Sequence, residues 1–392
     1  MNVVKINGRV FMQPFLWKKD PNIEMYDYND KPLQFPVETK HEYPNKLILL
    51  NKLNNVQSQI KFHQYDDGEH NDCLLCDKKN VGTGVYQFNN IRWEDSIYHY
   101  VHKHNIALPN DFIDFIFRSF PDQYAKKKHG QKKLNGKLIK KNNNILLKLN
   151  NHQILIMDAL LEHGGKMIYK NSKNNYRKKH KLSGIEKYRY SEHAGLLDFK
   201  GFDLNKIIIS ANTTDISVVD NDIYFPNITT DFFDYEYIFH THPPTPNIGG
   251  RIHEGVLYES PSIEDIMFFA NYYNLGKSQG SIVIAPEGMY VVHKYHFNNK
   301  DIHFDEDQFF SEYNIIFWDI QDKYIKKYKD VDLDKNPSEF YSIISQDYGF
   351  IDDVNDILKK YDLFIEYYPR KYNADTSTWY IDTVYLPLNI AQ

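Results

Sequence analysis

One region of the chain, residues 190 to 297, constrains the fold most, because strand-like and helical patterns alternate along it. The runs AGLLDF, KIIISA and YEYIFH are short and apolar, as β-strands are. The run PSIEDIMFFANYYNLG has the spacing of a helix that ends at Gly276, and GSIVIAPEGMYVVHKY is typical of a hairpin that turns at Pro286-Glu287-Gly288. This alternation predicts an α/β (α+β) fold.

The rest of the chain divides by composition. A chain of 392 residues is too long for one compact core, and 42% apolar residues are enough for it to fold. We expect an N-terminal arm (1–72), in which runs such as KLILLNKL are extended, then a small unit (73–125) and a basic linker (126–149). The α/β domain (150–297) and an acidic, mostly helical extension ending in strands (298–392) follow.

Two histidines close the strand-like run YEYIFHTH. Because residues i and i+2 of a strand face the same way, His240 and His242 should project together. Two imidazoles can hold Zn²⁺, with a carboxylate as the third ligand and water in the fourth position. Asp265, in the first turn of the next helix, is a candidate for that carboxylate.

Each half of this group also has an ordinary explanation. A lone H-x-H pair is a weak motif in a chain with 17 histidines, and a second pair occurs at His102 and His104. Ser262 and Asp265 have the spacing of a helix N-cap and a first-turn acid. The ordered combination of the two halves is what favours a functional site.

That combination resembles the signature of the JAMM (MPN+) zinc metalloproteases, which is a glutamate, then H-S/T-H-P, then S-x-x-D. The chain has His240-Thr241-His242-Pro243 and Ser262-Ile263-Glu264-Asp265. Glu192 precedes the run HAGLL and lies 48 residues before His240. The resemblance covers roughly residues 150 to 297, and it implies an MPN-like mixed sheet flanked by helices.

The resemblance also implies a role for each residue. His240, His242 and Asp265 would hold a catalytic Zn²⁺, Glu192 would act as general base, and Ser262 would donate a hydrogen bond to the oxyanion. The implied reaction is metal-assisted hydrolysis of an amide or isopeptide bond, with ubiquitin or a ubiquitin-like conjugate as protein substrate. For Glu192, the other interpretation is a carboxylate on the surface of a strand.

The spacing departs from the family pattern in one place. The family usually has seven residues between the second histidine and the serine, whereas residues 243 to 261 make 19 here. The extra run TPNIGGRIHEGVLYE is rich in turn formers and predicts a loop at the rim of the site. It could shape substrate choice, act as a lid or block the cleft, and the sequence leaves these alternatives open.

A second candidate metal site lies upstream. Cys73 and Cys76 form a C-x2-C pair, followed by a strand-like run and by IYHYVHKH, which places His99 and His104 on a predicted helix. The order resembles a C2H2 zinc finger with a longer central gap, and it predicts a structural Zn²⁺ site. The alternative is two free thiols in a turn beside solvated histidines.

The chain's charge is unevenly distributed. The net charge of −5 provides no global field for nucleic acid, but residues 126 to 189 hold 18 Lys and Arg against 3 acids. We interpret this stretch as a solvated insertion, or as a surface complementary to the acidic 301–366, rather than as a nucleic-acid site. No aromatic residues are interleaved in its lysine runs.

Two classes of function remain. The first is a JAMM-type zinc hydrolase, and the second is a scaffold with an MPN-like core and assembly partners bound through its flanks. The A/T-biased composition and the PPTPNIGGR loop resemble JAMM-like proteins of large DNA viruses. That resemblance implies either a virus-encoded deubiquitinase, which belongs to the first class, or a virion component, which belongs to the second. With only Cys73 and Cys76, no leader and no long apolar run, we expect a soluble intracellular protein, or a virion protein if viral.

Overall fold

A computed structural model describes most of the chain. The described residues are 1–39, 45–65, 70–120, 143–165, 168–169, 188–210, 213–215, 223, 225–226, 235–244, 248–296, 300–333 and 335–390. They form two compact units, unit 1 (Met1–Gln123) and unit 2 (Tyr124–Gln392). Most of the basic stretch 126–189, including most of the predicted linker, lies outside the described residues.

Unit 1 consists of a small sheet and, among the described residues, three helices. Its elements are β1 (Asn2–Ile6), β2 (Arg9–Gln13), α1 (Lys46–Gln57), β3 (Phe62–Gln64), β4 (Gly84–Phe88), β5 (Ile91–Glu94), α2 (Ile97–His104) and α3 (Asn110–Ser119). The sheet order is β1-β2-β5-β4-β3. Helix α1 packs against α2 and α3, and Trp93 of β5 is fully buried between Tyr86 and Phe112.

Two local predictions in unit 1 had different outcomes. The run KLILLNKL, which we expected to be extended, forms the first two turns of α1, so that prediction is wrong. Helical spacing along α1 buries Leu49, Leu53 and Val56 on one face, and a short apolar run does not by itself distinguish this from a strand. The helical spacing of Phe112, Ile113, Ile116 and Phe117 predicts an apolar helix face, and all four residues are buried on α3.

Unit 2 is built on an eight-stranded mixed sheet ordered β16-β15-β14-β13-β10-β11-β6-β19. Its strands are β6 (Asn143–Leu149), β10 (Ala194–Lys200), β11 (Asp203–Ile209), β13 (Tyr237–Thr241), β14 (Gly280–Ile284), β15 (Gly288–Lys294), β16 (Leu363–Pro369) and β19 (Val384–Ile390). Three two-stranded ribbons accompany it: β7 (Ile168–Tyr169) with β8 (Tyr188–Arg189), β9 (Ser191–Glu192) with β12 (Thr214–Asp215), and β17 (Lys371–Asn373) with β18 (Thr378–Tyr380). The pairs β13–β14 and β6–β11 are parallel, and the other pairs in the large sheet are antiparallel.

Helices cover both faces of this sheet. The described helices of unit 2 are α4 (Asn151–Gly165), α5 (Ile263–Asn274), α6 (Glu306–Lys327), α7 (Pro337–Glu339) and α8 (Gly349–Leu358). Along β14, Ile282 and Ile284 pack with α4, whereas Val283 packs with α5, α6 and α8. The buried strand therefore uses its two-residue period to contribute to two cores.

The predicted mixed α/β character is confirmed, as are the helix before Gly276 and the hairpin at 286–288. Strands β16 and β19 belong to the segment treated as an extension, yet they pair with β15 and β6 in the large sheet. The bidentate pair between Arg370 and Asp158 joins the end of β16 to α4. Among the described residues, no helix has both the length and the apolar content needed to cross a bilayer.

Candidate metal centres

Three side chains predicted as ligands converge in unit 2. His240 lies on β13, His242 lies just beyond the end of that strand, and Asp265 lies in the first turn of α5. The Nε2 atoms of the two histidines are 3.0 Å apart. The Asp265 carboxylate lies 3.1 Å from His240 Nε2 through Oδ1 and 3.3 Å from His242 Nε2 through Oδ2. The three residues form a group that could hold a metal ion.

The dimensions of this triangle fit one face of a coordination tetrahedron. Zn–N and Zn–O distances of about 2.0 to 2.2 Å imply ligand-to-ligand edges of about 3.3 Å. The three observed separations, 3.0, 3.1 and 3.3 Å, are close to that value. The group is nearly buried, and the side chain of His242 retains 12% exposure. Three ligands leave a fourth position for water or substrate, so the arrangement suits a catalytic ion better than a structural one.

The electrostatics of the group favour bound positive charge. Burial opposes charge on His242, but its hydrogen bond to Asp265 and the charges of Asp265 and Glu192 raise its pKa to about 10. Burial likewise opposes ionisation of Asp265, yet His240 and His242 hold the pKa of that carboxyl well below its ordinary value. A divalent cation could replace the proton that this cluster otherwise retains.

An outer contact fixes the orientation of His242. Its Nδ1 donates a hydrogen bond of 2.9 Å to the backbone carbonyl of Glu259, which leaves Nε2 as the atom with a free lone pair. The Glu259 side chain is held in turn by Arg251 at 2.9 Å. The segment between the second histidine and the serine therefore supports a ligand directly.

Ser262 and Asp265 form the helix cap that their spacing suggested. The Asp265 amide donates to Ser262 Oγ at 3.2 Å, and the Ser262 amide donates to Asp265 Oδ2 at 2.7 Å. The same carboxylate faces both histidines, so the capping interpretation and the ligand interpretation are compatible. The cap locks the rotamer of Asp265. It uses Ser262 Oγ as an acceptor and leaves the hydroxyl proton available to a substrate.

Glu192 is placed beside this group by the strand that follows it. Its neighbour His193 donates its amide to Thr241 Oγ1 and accepts the Thr241 amide, each at 3.0 Å, and Thr241 lies between the two histidine ligands. Glu192 is partly buried. Burial raises the pKa of its carboxyl, and His242 and His240 oppose that rise. The environment of Glu192 differs from that of an exposed strand carboxylate.

The inserted segment is anchored to the core at its C-terminal end. Leu257 and Tyr258 are 3% and 1% exposed. The fully buried Gln321 of α6 accepts the amides of both residues and donates to the Tyr258 carbonyl at 2.9 Å. This end of the segment is therefore a fixed wall beside the site, whereas 245–247 lie outside the described residues.

Unit 1 contains the second predicted group. Cys73 Sγ lies 3.3 Å from His104 Nε2, and Cys76 Sγ lies 3.6 Å from His99 Nε2. The four ligand atoms all lie within 4.8 Å of one another and could hold a metal ion. The two histidines of the second H-x-H pair differ in environment: His104 belongs to this group, and His102 is exposed.

Several residues that support the two groups were not found from the sequence. Glu38 contacts His104 Nδ1 at 3.2 Å across 66 residues, and Gln321 reaches Tyr258 across 63. No local pattern indicates such long-range partners. The pair Gly164-Gly165 is typical of a helix end, and α4 ends at Gly165. The sequence does not reveal that Gly164 also permits a close approach, because a Cβ there would lie 2.0 Å from the Ser191 carbonyl oxygen.

The fold and the two groups define a mixed α/β protein with two candidate metal centres. No family model matches the chain, and no solved structure matches it. The chain is 30% identical over 347 residues to the uncharacterized protein R413 of Acanthamoeba polyphaga mimivirus, an alignment that covers 88% of this chain and 93% of that protein. It therefore belongs to the same family as this mimivirus protein.

Proposed function

We propose that unit 2 is a zinc-dependent hydrolase of the JAMM type that cleaves an amide or isopeptide bond. The observation that carries the proposal is the convergence of three side chains. His240 and His242 lie at the end of a strand, and Asp265 lies in a helix, 23 residues beyond His242. Their donor atoms are 3.0 to 3.3 Å apart, and Glu192 lies beside them. Two imidazoles and one carboxylate are a ligand set of catalytic zinc sites.

The chain's own residues would divide the chemistry between them. When bound, Zn²⁺ supplies Lewis acidity, which makes a water molecule acidic and polarises a carbonyl. Glu192 accepts a proton from the attacking water and passes it to the leaving amine, for which its raised pKa is suitable. Ser262 donates its hydroxyl proton to the oxygen that becomes negative on the scissile carbonyl.

The proposed substrate is a protein conjugate, with ubiquitin or a ubiquitin-like protein as the first candidate. This choice rests on the resemblance of the motif to the JAMM signature. A viral origin for the chain is part of the proposal, supported by its relationship to the mimivirus protein. The competing function is a viral scaffold that keeps the same core without catalysis.

We also propose Zn²⁺ for the group in unit 1. Two thiolates and two imidazoles in a compact cluster are a common ligand set of structural zinc sites. The cluster has four protein ligands, so no coordination position is left for a substrate.

Hydrolysis of a panel of ubiquitin-like conjugates by the full chain tests the enzymatic proposal. Glu192→Gln should reduce the rate at least about a hundredfold without loss of zinc, since general acid–base catalysis contributes about 10²- to 10⁴-fold. Glu306→Gln is the matched control, because Glu306 is an exposed glutamate in the first turn of α6, and it should keep the parent's rate. If the parent binds zinc but cleaves nothing, and Glu192→Gln changes nothing, the scaffold function is favoured.

A further inference from the structure

We infer that the group in unit 1 is a closed structural centre that clamps the turn at residues 71–82 onto helix α2, and that only this corner of unit 1 depends on the ion. The inference extends the zinc proposed for Cys73, Cys76, His99 and His104. It goes beyond the proposed hydrolase, since it assigns the group a purely structural role.

The geometry of the group matches closed coordination. A tetrahedral ion with Zn–S of about 2.3 Å and Zn–N of about 2.0 Å implies sulfur-to-nitrogen edges of about 3.6 Å. The two shortest sulfur-to-nitrogen contacts are 3.3 and 3.6 Å. The Leu75 amide approaches Cys73 Sγ at 3.4 Å, a contact that would stabilise a thiolate. Glu38 accepts from His104 Nδ1 at 3.2 Å, which directs Nε2 at the centre.

The packing around the centre explains why loss of the ion should affect only the turn at residues 71–82 and its contacts with α2. The apolar cluster around the centre is small: in the described chain its buried members are Cys73, Tyr100 and Ile106, and the residues packed against them are only partly buried. Hydrogen bonds also hold the turn: Asn71 pairs with Gly82 at its base, Cys73 N donates to Lys78 O at 3.0 Å, and Leu74 N donates to the Tyr100 hydroxyl at 2.9 Å. Helices α1 and α3 instead bury their own apolar faces and do not include a ligand.

The same contacts permit a different chemistry. Cys73, His104 and Glu38 are in line, with contacts of 3.3 and 3.2 Å, as in a nucleophilic cysteine–histidine–carboxylate triad. Two observations favour the metal. Cys73 is 9% exposed and His104 is 2% exposed, so the sulfur is poorly accessible to a substrate. A triad would also not involve the adjacent Cys76–His99 contact, whereas a four-ligand metal site includes it.

Alkylation of the full chain with iodoacetamide, read by mass spectrometry, separates the two possibilities. A closed centre predicts that both thiols are protected in the purified protein and react at least about tenfold faster after chelation, because zinc-bound thiolates are shielded. His104→Ala should remove the protection of both cysteines, and the matched control His102→Ala should preserve it. Selective alkylation of Cys73 at a rate that chelation does not change would overturn the inference in favour of the triad.

Hydrogen exchange tests whether the effect is local. After chelation, amides of residues 71–82 should lose protection, while those of α1 and α3 keep theirs. Loss of protection across α1 and α3 as well would contradict the local clamp. His240→Ala distinguishes this result from failure of the proposed hydrolase, because it removes a ligand of unit 2 and should leave the thiols of unit 1 protected.

Discussion

At the scale of single residues, several side chains in unit 2 have two structural tasks. Asp265 caps α5 and faces both histidines, and Glu259 pairs with Arg251 while its carbonyl holds His242. Ser262 completes the cap and is the proposed oxyanion donor. Substitutions at these positions should therefore change stability and function together, and a test has to measure both.

Ser262→Ala removes a cap and the proposed oxyanion donor at once. Loss of a serine N-cap costs about 1 kcal/mol of stability, and loss of an oxyanion donor costs about 10²-fold or more in turnover. We expect both effects, measured by urea unfolding and by turnover at saturating substrate. Ser262→Thr, which keeps a hydroxyl cap, should recover most of the stability. A Ser262→Ala variant with the parent's turnover would remove Ser262 from the mechanism.

Glu287 provides a prediction about pH. It is fully buried in the β14–β15 turn, where Tyr290 donates to Oε1 and Oε2 has no partner among the described residues. Burial raises the pKa of this carboxyl to about 7 from the ordinary 4.5. Between those values the folded state keeps a proton that the unfolded chain has lost, so the carboxyl destabilises the fold as pH rises.

The variant Glu287→Gln keeps the acceptor for Tyr290 and cannot ionise. Its free energy of unfolding relative to the parent should rise by about 2.5 kcal/mol between pH 5 and pH 8, because most of the difference in ionisation between the folded and unfolded parent falls in this range. Urea titrations at the two pH values measure this difference. The exposed Glu254→Gln serves as control and should show little change. An equal difference at both pH values would show that Glu287 ionises normally.

At the scale of elements, helix α4 and ribbon strand β9 are in unusually close contact. Gly164 lies near the end of α4, where a Cβ would come within 2.0 Å of the Ser191 carbonyl oxygen and 3.3 Å of Pro243. Glu192 follows Ser191, and Pro243 follows His242. The absence of a side chain at Gly164 therefore lets Ser191, and with it Glu192, lie close to α4 and to the segment that follows His242.

Gly164→Ala should push β9 away from α4. We expect about 1 to 3 kcal/mol of destabilisation from overpacking and a lower turnover with the zinc content unchanged. Gly165→Ala is a matched control, because a Cβ there makes only ordinary contacts, with Pro244 at 3.5 Å and Pro243 at 3.7 Å, and alanine is the better helix former. Equal stability and turnover in both variants would show that the contact does not position Glu192.

The elements also show what the sequence could predict. Local rules predict the histidine pair and the place of Asp265 in the first turn of a helix, whereas the convergence of the two halves is expected from the ordered motif and its resemblance to the JAMM signature. The prediction that the run KLILLNKL is extended was wrong because strands and short buried helices share the same apolar residues. Glu38 and Gln321 depend on contacts across more than 60 residues, which a single sequence does not encode locally.

At the scale of the whole molecule, the C-terminal region is part of the structure that holds the site. Strands β16 and β19 extend the large sheet, and Gln321 of α6 holds the inserted segment at Leu257 and Tyr258. The spacer between the second histidine and the serine is long. It is accommodated because Gln321 of α6, a helix outside the motif, hydrogen-bonds to backbone groups of the spacer.

Gln321→Leu should leave the amides of Leu257 and Tyr258 and one carbonyl buried without partners. Each such group costs about 1 to 3 kcal/mol, so we expect at least about 2 kcal/mol of destabilisation in urea unfolding and weaker retention of zinc by unit 2. Gln308→Leu, on the exposed side of the same helix, should change stability by less than about 0.5 kcal/mol. A similar small change in Gln321→Leu would refute the anchoring role.

The zinc content per chain tests whether His240, His242 and Asp265 hold a metal ion. The full chain should contain two zinc ions, one in each unit, and His240→Ala should contain one. The control His253→Ala changes an exposed histidine of the inserted segment and should retain both. A His240→Ala protein with the parent's zinc content would show that these three side chains do not hold zinc.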